Sequence, residues 1–276
     1  MLRRIILIII GVPLALTIIC TGTALSLPVT RHLISGWWNT PDRLPALADN
    51  SLVHYEPGAE EHAREVAVLL PAAIARVEAA HGRPFAHPVT LGVYATSDAY
   101  AAANGTGSLG PVGTALFGRV ILSPKLFAAQ RRRLPAILAH ELSHAHIEGW
   151  LAQRGWSHPI AMVYLPNWFK EGLAVMVSGG GGAELVSEEE ARQAMQRGEL
   201  IRINDSGSLL NLTDIRFDRA PAQQDPAWYP VVLAYREAGM FVNYLHNDGP
   251  AFNRMMNAIL DGEAFADERR TEVSRA

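Results

Sequence analysis

Residues Leu134 to Gly149 read as a helix that is apolar on most sides, through Leu134, Ile137, Leu138, Leu142 and Ala145, yet carries His140, Glu141 and His144. A helix of this kind belongs in an interior. Two imidazoles and a carboxylate are costly to bury there unless something pairs with them, and a divalent cation does so directly. The spacing His140-Glu141-x-x-His144 leaves the two rings rotated by only about 40° and displaced by roughly 6 Å along the axis, so both point into one small volume. Glu141 projects toward the same opening, where it can reach a water without ligating the metal, as a general base requires.

Two imidazoles fall short of the three protein ligands that catalytic zinc sites use. The word Leu165 to Val175 (LPNWFKEGLAV) offers the third, Glu171, in the first turns of the next helix. Gly172 beside it is expected to let that helix approach the metal helix closely, with Trp168 as an anchor. A plainer reading of Glu171 is an acid favoured at a helix start by the dipole. The single cysteine, Cys20, lies in an apolar run, so neither a disulfide framework nor a Cys-based metal site can be built within one chain. A formal net charge of −3 supplies no basic field for phosphate backbones, which excludes nucleic acid as a partner class.

The chain opens with Arg3 and Arg4 and then runs from Ile5 to Thr30 without a charged side chain. As a helix this run would measure roughly 39 Å, enough to cross the roughly 30 Å hydrocarbon layer. It reads as a membrane anchor whose basic end stays in the cytoplasm, placing the rest of the chain on the far side. The small residues Thr21 to Ser26 also admit a cleaved signal peptide, and either way the working domain is exported. Trp37 and Trp38 fit a headgroup-level aromatic pair or two residues packed on the domain.

Residues 31–50 read as a linker and 51–262 as one domain, followed by a charged tail over 263–276. In the domain's front half, Ala59 to Ala80 carries a helical stripe that Pro71 should kink and Gly82 closes. Leu52 to Tyr55, Val89 to Tyr94 and Gly118 to Leu122 read as short strands, and Asn104 to Gly113 as a mobile glycine-rich loop. From Arg131 onward helices are expected at about 134–149, 166–178, 187–197, 229–246 and 251–261, with Gly179 to Gly182 as a flexible joint. The expected class is α+β, a small mixed-sheet lobe followed by a mainly helical lobe.

His140-Glu141-x-x-His144 followed by the Trp-x-x-Glu-Gly-x-Ala word (Trp168, Glu171, Gly172, Ala174) resembles the gluzincin zinc metallopeptidases, specifically peptidase MA-like domains related to membrane alanyl aminopeptidases and thermolysin. The resemblance implies a zincin-like fold with the zinc site between its lobes, zinc ligands at His140, His144 and Glu171, and a general base at Glu141. The segment Ala234 to Leu245 is similar to the aminopeptidase helix whose leading tyrosine contacts the tetrahedral intermediate. That similarity implies the role for Tyr235, with Tyr229 a second candidate. Relatives of this kind bind substrate backbone as an added strand, and the strand Gly118 to Leu122 is the expected partner.

Three departures set this chain apart from the pattern. The interval from His144 to Glu171 is long, which makes the stretch around Gly155 to Leu165, with His158, an insertion over or beside the site. No Gly-x-Met-Glu-Asn word precedes the metal helix, which points away from exopeptidase action. Val175 stands where thermolysin has an acid that orients a ligand histidine. His146 points off the metal face, and Trp150 stands where metzincin spacing would need a third histidine. The expected activity is zinc-dependent endopeptidase cleavage of a peptide or protein substrate. The alternatives are a membrane-tethered zinc module that binds partners without turnover, and a metal-free helical scaffold.

Overall fold

The computed structural model describes residues 26–153, 165–203, 215–222 and 226–263. Most of the run Ile5 to Thr30, the insertion with His158, and the tail beyond Glu263 lie outside the described residues. Among those described, no helix is long and apolar enough to cross a membrane.

The fold is α+β, with one five-stranded mixed sheet and mostly helical content. Strands β1 (Ala46–Leu47), β2 (Asn50–Tyr55), β3 (Thr90–Val93), β4 (Gly113–Leu116) and β5 (Arg119–Leu122) lie in the order β1-β2-β3-β5-β4. The inner strands β2, β3 and β5 are parallel. Both faces of such strands are normally covered, and Val53, Leu91, Val93, Val120 and Leu122 are accordingly buried. β1 and β4 close the sheet as antiparallel edges.

Helix α1 spans Pro28–Trp38, and α2 (Glu60–His81) connects β2 to β3. Glu60 and Glu61 favour the start of α2, Gly82 caps it in the left-handed conformation, and the helix continues through Pro71. Short helices α3 (Ser97–Ala103) and α4 (Pro124–Ala129) flank the β4–β5 hairpin in sequence. The back half contributes α5 (Leu134–Gln153), α6 (Asn167–Ser178), α7 (Glu188–Gln196), α8 (Tyr229–His246) and α9 (Gly249–Leu260). A small pair, β6 (Leu200–Ile201) and β7 (Phe217–Arg219), follows α7.

Three front-half expectations change. Residues 31–50 carry most of α1, a 3-10 turn and β1, because β1 finds pairing partners on β2. The stretch Asn104 to Gly110 is organised by the buried Asn104 side chain, whose Oδ1 accepts from the Thr106 and Gly107 amides while Nδ2 donates to the Ser108 carbonyl. Gly113, expected in that loop, opens β4. Finally, the strand expected to receive a substrate backbone, β5, is hydrogen-bonded on both sides, to β3 and β4. A strand so placed has no free ladder, so the available edge is β4.

One buried carboxylate in α8 sets a pH dependence. Glu237 Oε2 accepts from the Ile201 amide at 3.0 Å, while Oε1 has no hydrogen-bond partner among the described residues. Burial pushes this carboxyl up to about 7, against the pull of the Ile201 amide. The native chain therefore keeps a proton that the unfolded chain, with an ordinary value of 4.5, has released. Stability contributed by this group falls as pH rises between those two values. Glu237→Gln retains an acceptor for Ile201 and is expected to flatten the decline, as read from urea midpoints at about pH 5 and about pH 7.

Candidate metal centre

α5 is buried around nearly its whole circumference, as its apolar composition requires. On one face it brings His140 and His144 against Glu171 of α6, and all three side chains are buried. The Nε2 atoms of the two histidines lie 3.2 Å apart, and Glu171 Oε2 lies 3.4 Å from His140 Nε2 and 3.6 Å from His144 Nε2. Charge-assisted hydrogen bonds between such groups would close to about 2.7–2.9 Å. Ligands at about 2.0–2.1 Å from a tetrahedral cation lie roughly 3.3 Å apart. The triangle has the size that a small cation sets rather than the size of a self-satisfied ion pair. This buried cluster could hold a metal ion.

The three groups are also coupled electrostatically. Burial opposes ionisation of Glu171, but the His144 and His140 rings outweigh it and hold the carboxyl well below the usual range. Burial likewise opposes a charge on His140, and the Glu171 and Glu141 carboxylates reverse it, raising the ring above its ordinary value. The three groups thus stand as one buried, mutually coupled cluster.

His140 Nδ1 lies 2.9 Å from the Gly181 carbonyl. That contact requires an N–H at Nδ1, so in the neutral ring, the form that ligates a metal, Nε2 is the lone-pair atom facing Glu171. The group that orients His140 is thus a backbone carbonyl. Gly179 to Gly182, expected as a flexible joint, form a turn pressed onto α5. A Cβ on Gly181 would come within 2.8 Å of the Ala136 carbonyl oxygen, and Gly179, Gly180 and Gly182 all take positive φ. Arg236 clamps the turn's exit by donating to the Ala183 and Val186 carbonyls.

Glu141 stands beside the triangle without joining it. Its carboxylate lies against the first residue of β4, where a Cβ on Gly113 would come within 2.8 Å of Glu141 Cγ. Burial raises its pKa above the usual carboxylate range, opposed by the nearby rings of His140 and His144 and by a backbone hydrogen bond from Ala115. One turn past His144, Glu148 Oε2 accepts from the Gly118 amide at 2.6 Å and so ties the β4–β5 hairpin to α5. Burial pushes Glu148 up to about 7 and Lys170 down to about 8. The preceding turn residue, Phe117, is the only described non-glycine residue at positive φ, so the hairpin that Glu148 holds is also the locally strained one.

His140, Glu141, His144, Glu148, Lys170 and Glu171 line one cleft of about 470 Å³, bounded by β4 on one side and by α5, α6 and α8 on the others. Tyr235 of α8 lines it too, with its ring near Gly182. Tyr229 does not line the cleft and packs in a separate cluster around Leu233.

The face of α5 opposite the metal cluster carries its own polar chain. His146 Nε2 meets the Arg83 and Pro84 carbonyls, His146 Nδ1 lies 2.9 Å from His81 Nδ1, and His81 Nε2 lies 3.0 Å from Ser143 Oγ. Burial lowers the pKa of both rings, which favours their neutral forms. Carbonyl contact makes His146 Nε2 a donor, so its Nδ1 accepts from His81, whose Nε2 then accepts the Ser143 hydroxyl proton. Each tautomer is assigned by the next, and the chain fastens α2 to α5 beside His144. Trp150 donates to the Pro84 carbonyl on the same side.

Gly172 turns out to face α8 rather than the metal helix. A Cβ there would come within 2.5 Å of the Ala238 carbonyl oxygen, and one on Gly239 within 2.4 Å of Val175 Cγ1. Trp168 likewise packs on Phe241 of α8, with centroids 5.3 Å apart. Alanine at 172 would gain about 1 kcal/mol of helix propensity, but overpacking costs about 1–3 kcal/mol. The obstructing atom is backbone, which cannot rotate aside, so the cost wins. Gly172→Ala is expected to lower the melting temperature and to weaken metal binding by displacing Glu171, measured by melts and metal titration on the same preparation.

No protein-family model, curated protein or solved structure matches this chain.

Proposed function

We propose that this chain is a zinc-dependent endopeptidase of the gluzincin type, with a zincin-like fold, held on the exported side of a membrane by its amino-terminal segment. The observation that carries the reading is one cleft that combines the His140, His144 and Glu171 triangle, a separate buried carboxylate at Glu141, and the edge strand β4. The charge-free run from Ile5 to Thr30 supports the membrane segment.

Zinc held by His140, His144 and Glu171 would supply Lewis-acid polarisation of a carbonyl and acidification of water. The remaining work falls to the chain. The outer edge of β4, apart from the Ala115 amide that Glu141 already holds, offers backbone groups to an extended peptide. Glu141, in its ionised form, takes a proton from the attacking water and returns it to the leaving amine. The Tyr235 hydroxyl donates to the scissile oxygen as charge develops there. The Gly181 carbonyl keeps His140 in the tautomer that presents Nε2.

The test is a peptide-library digest by the full chain, read by mass spectrometry beside metal analysis of the same sample. Zinc near one per chain with defined internal cleavage sites supports the proposal. Full zinc occupancy with no cleavage, together with stable capture of a partner, would favour the binding-module alternative.

A further inference from the structure

α1 presents two unlike faces. Its inner face is built for close contact with the domain, since Gly36 is buried with room for no Cβ against the Ala103 carbonyl, and Ser35 Oγ donates to the Ala102 carbonyl at 2.8 Å. Its outer face carries Leu27, Ile34 and Trp38 at helical spacing, with Trp37 beside them, and all four are exposed. Trp37 and Trp38 are 60% and 58% exposed. A monomer in water gains nothing from such a stripe.

The sequence that leads into α1 points to what covers it. The charge-free run from Ile5 to Thr30 reaches into the first turn of α1, so this helix is the first element that chain entering from a bilayer would form. Indole rings are suited to the headgroup layer, where one part of the side chain is apolar and another is wet. Arg31 is exposed on the same stripe, and the Arg43 guanidinium sits 4.2 Å from the Trp38 ring centre. Two cations among exposed aromatics favour an anionic lipid surface. Asp42, the neighbouring acid, is taken up by Arg119.

The same helix reaches the cleft. Leu33, one turn before Trp37, lines it, and so does Val231 of α8, which is 54% exposed. We infer that the outer face of α1 rests on the headgroup layer of a lipid bilayer, setting the mouth of the cleft at the membrane surface, so that the substrate is a polypeptide held at or emerging from the bilayer. The statement about substrate rests on the peptidase reading, whereas the lipid contact does not.

The experiment uses the full chain reconstituted in phosphatidylethanolamine–phosphatidylglycerol vesicles, with or without lipids brominated near the headgroup end of the acyl chain. Tryptophan emission is compared between the wild type and the double variant Trp37→Phe, Trp38→Phe, which keeps both positions apolar. Bromolipid is expected to quench the wild type, and the double variant is expected to lose at least half of that quenching. Absence of quenching, or quenching undiminished in the double variant, overturns the lipid contact. In a second arm, one cleavable peptide is tethered to the vesicles through a short or a long spacer. Cleavage at least as fast on the short spacer supports a mouth at the surface, and cleavage confined to the long spacer overturns it. If neither peptide is cut, the peptidase reading fails while the quenching arm still decides the lipid contact.

Discussion

Glu141→Gln is expected to cut peptide hydrolysis by about 10² to 10⁴-fold, the usual contribution of a positioned proton acceptor, while metal content stays near one ion per chain. Glutamine matches glutamate in shape and keeps an oxygen that can accept from the Ala115 amide. What it loses is the ability to take a proton. Glu141 is buried beside Gly113 of β4, and its charge is costly to hold there. A neutral amide of the same shape keeps that packing, so the variant should melt close to the wild-type temperature. An unchanged midpoint matters, because it separates lost chemistry from lost fold. Glu141→Ala would confound the two by opening a cavity against β4. Turnover in the glutamine variant equal to that of the wild type would remove Glu141 from the mechanism, whatever the metal content.

Much of the helical half was legible because helical periodicity is local. α5, α6 and α8 begin within a residue of the expected positions, and the four-residue spacing of His140 and His144 does bring both rings to Glu171. What escaped depends on backbone groups or on which neighbour an element meets. The Gly181 carbonyl that orients His140 has no side-chain signature, and four consecutive glycines look like a joint until a helix is pressed against them. β4 is four residues long, begins with glycine and gains strand character only from pairing with β5. Gly172 was recognisable as a close-approach residue, but nothing in the word LPNWFKEGLAV tells whether α5 or α8 does the approaching. Glu148 is different, since it lies one turn beyond His144 on the metal face, and the series 140, 144, 148 was available to find it.

Glu171→Ala separates a metal centre from a buried ion-pair network more sharply than any other change. If the three side chains mainly satisfied one another, chelation of the wild type would leave its melting temperature where it was, and the variant would simply melt lower. The distances argue otherwise, because 3.4 and 3.6 Å between imidazole nitrogen and carboxylate oxygen are too long for the short bonds that such a pair would form. With a resident ion and free metal a thousandfold above its dissociation constant, the native state gains about 4 kcal/mol. For a domain of this size that corresponds to roughly 10 °C. A strong chelator should therefore lower the wild-type midpoint by about that amount and leave the alanine variant unmoved. Two histidines alone fall short of the three-ligand set that retains zinc, so the variant should also lose its ion on dialysis against a weak competitor. Glu141→Gln supplies the control, since it leaves all three ligands in place and should respond to chelator as the wild type does. Chelator-insensitive melting of the wild-type holoprotein, by contrast, would mean that the triangle is held by its own hydrogen bonds and that the chemistry proposed for the cleft has no metal to work with.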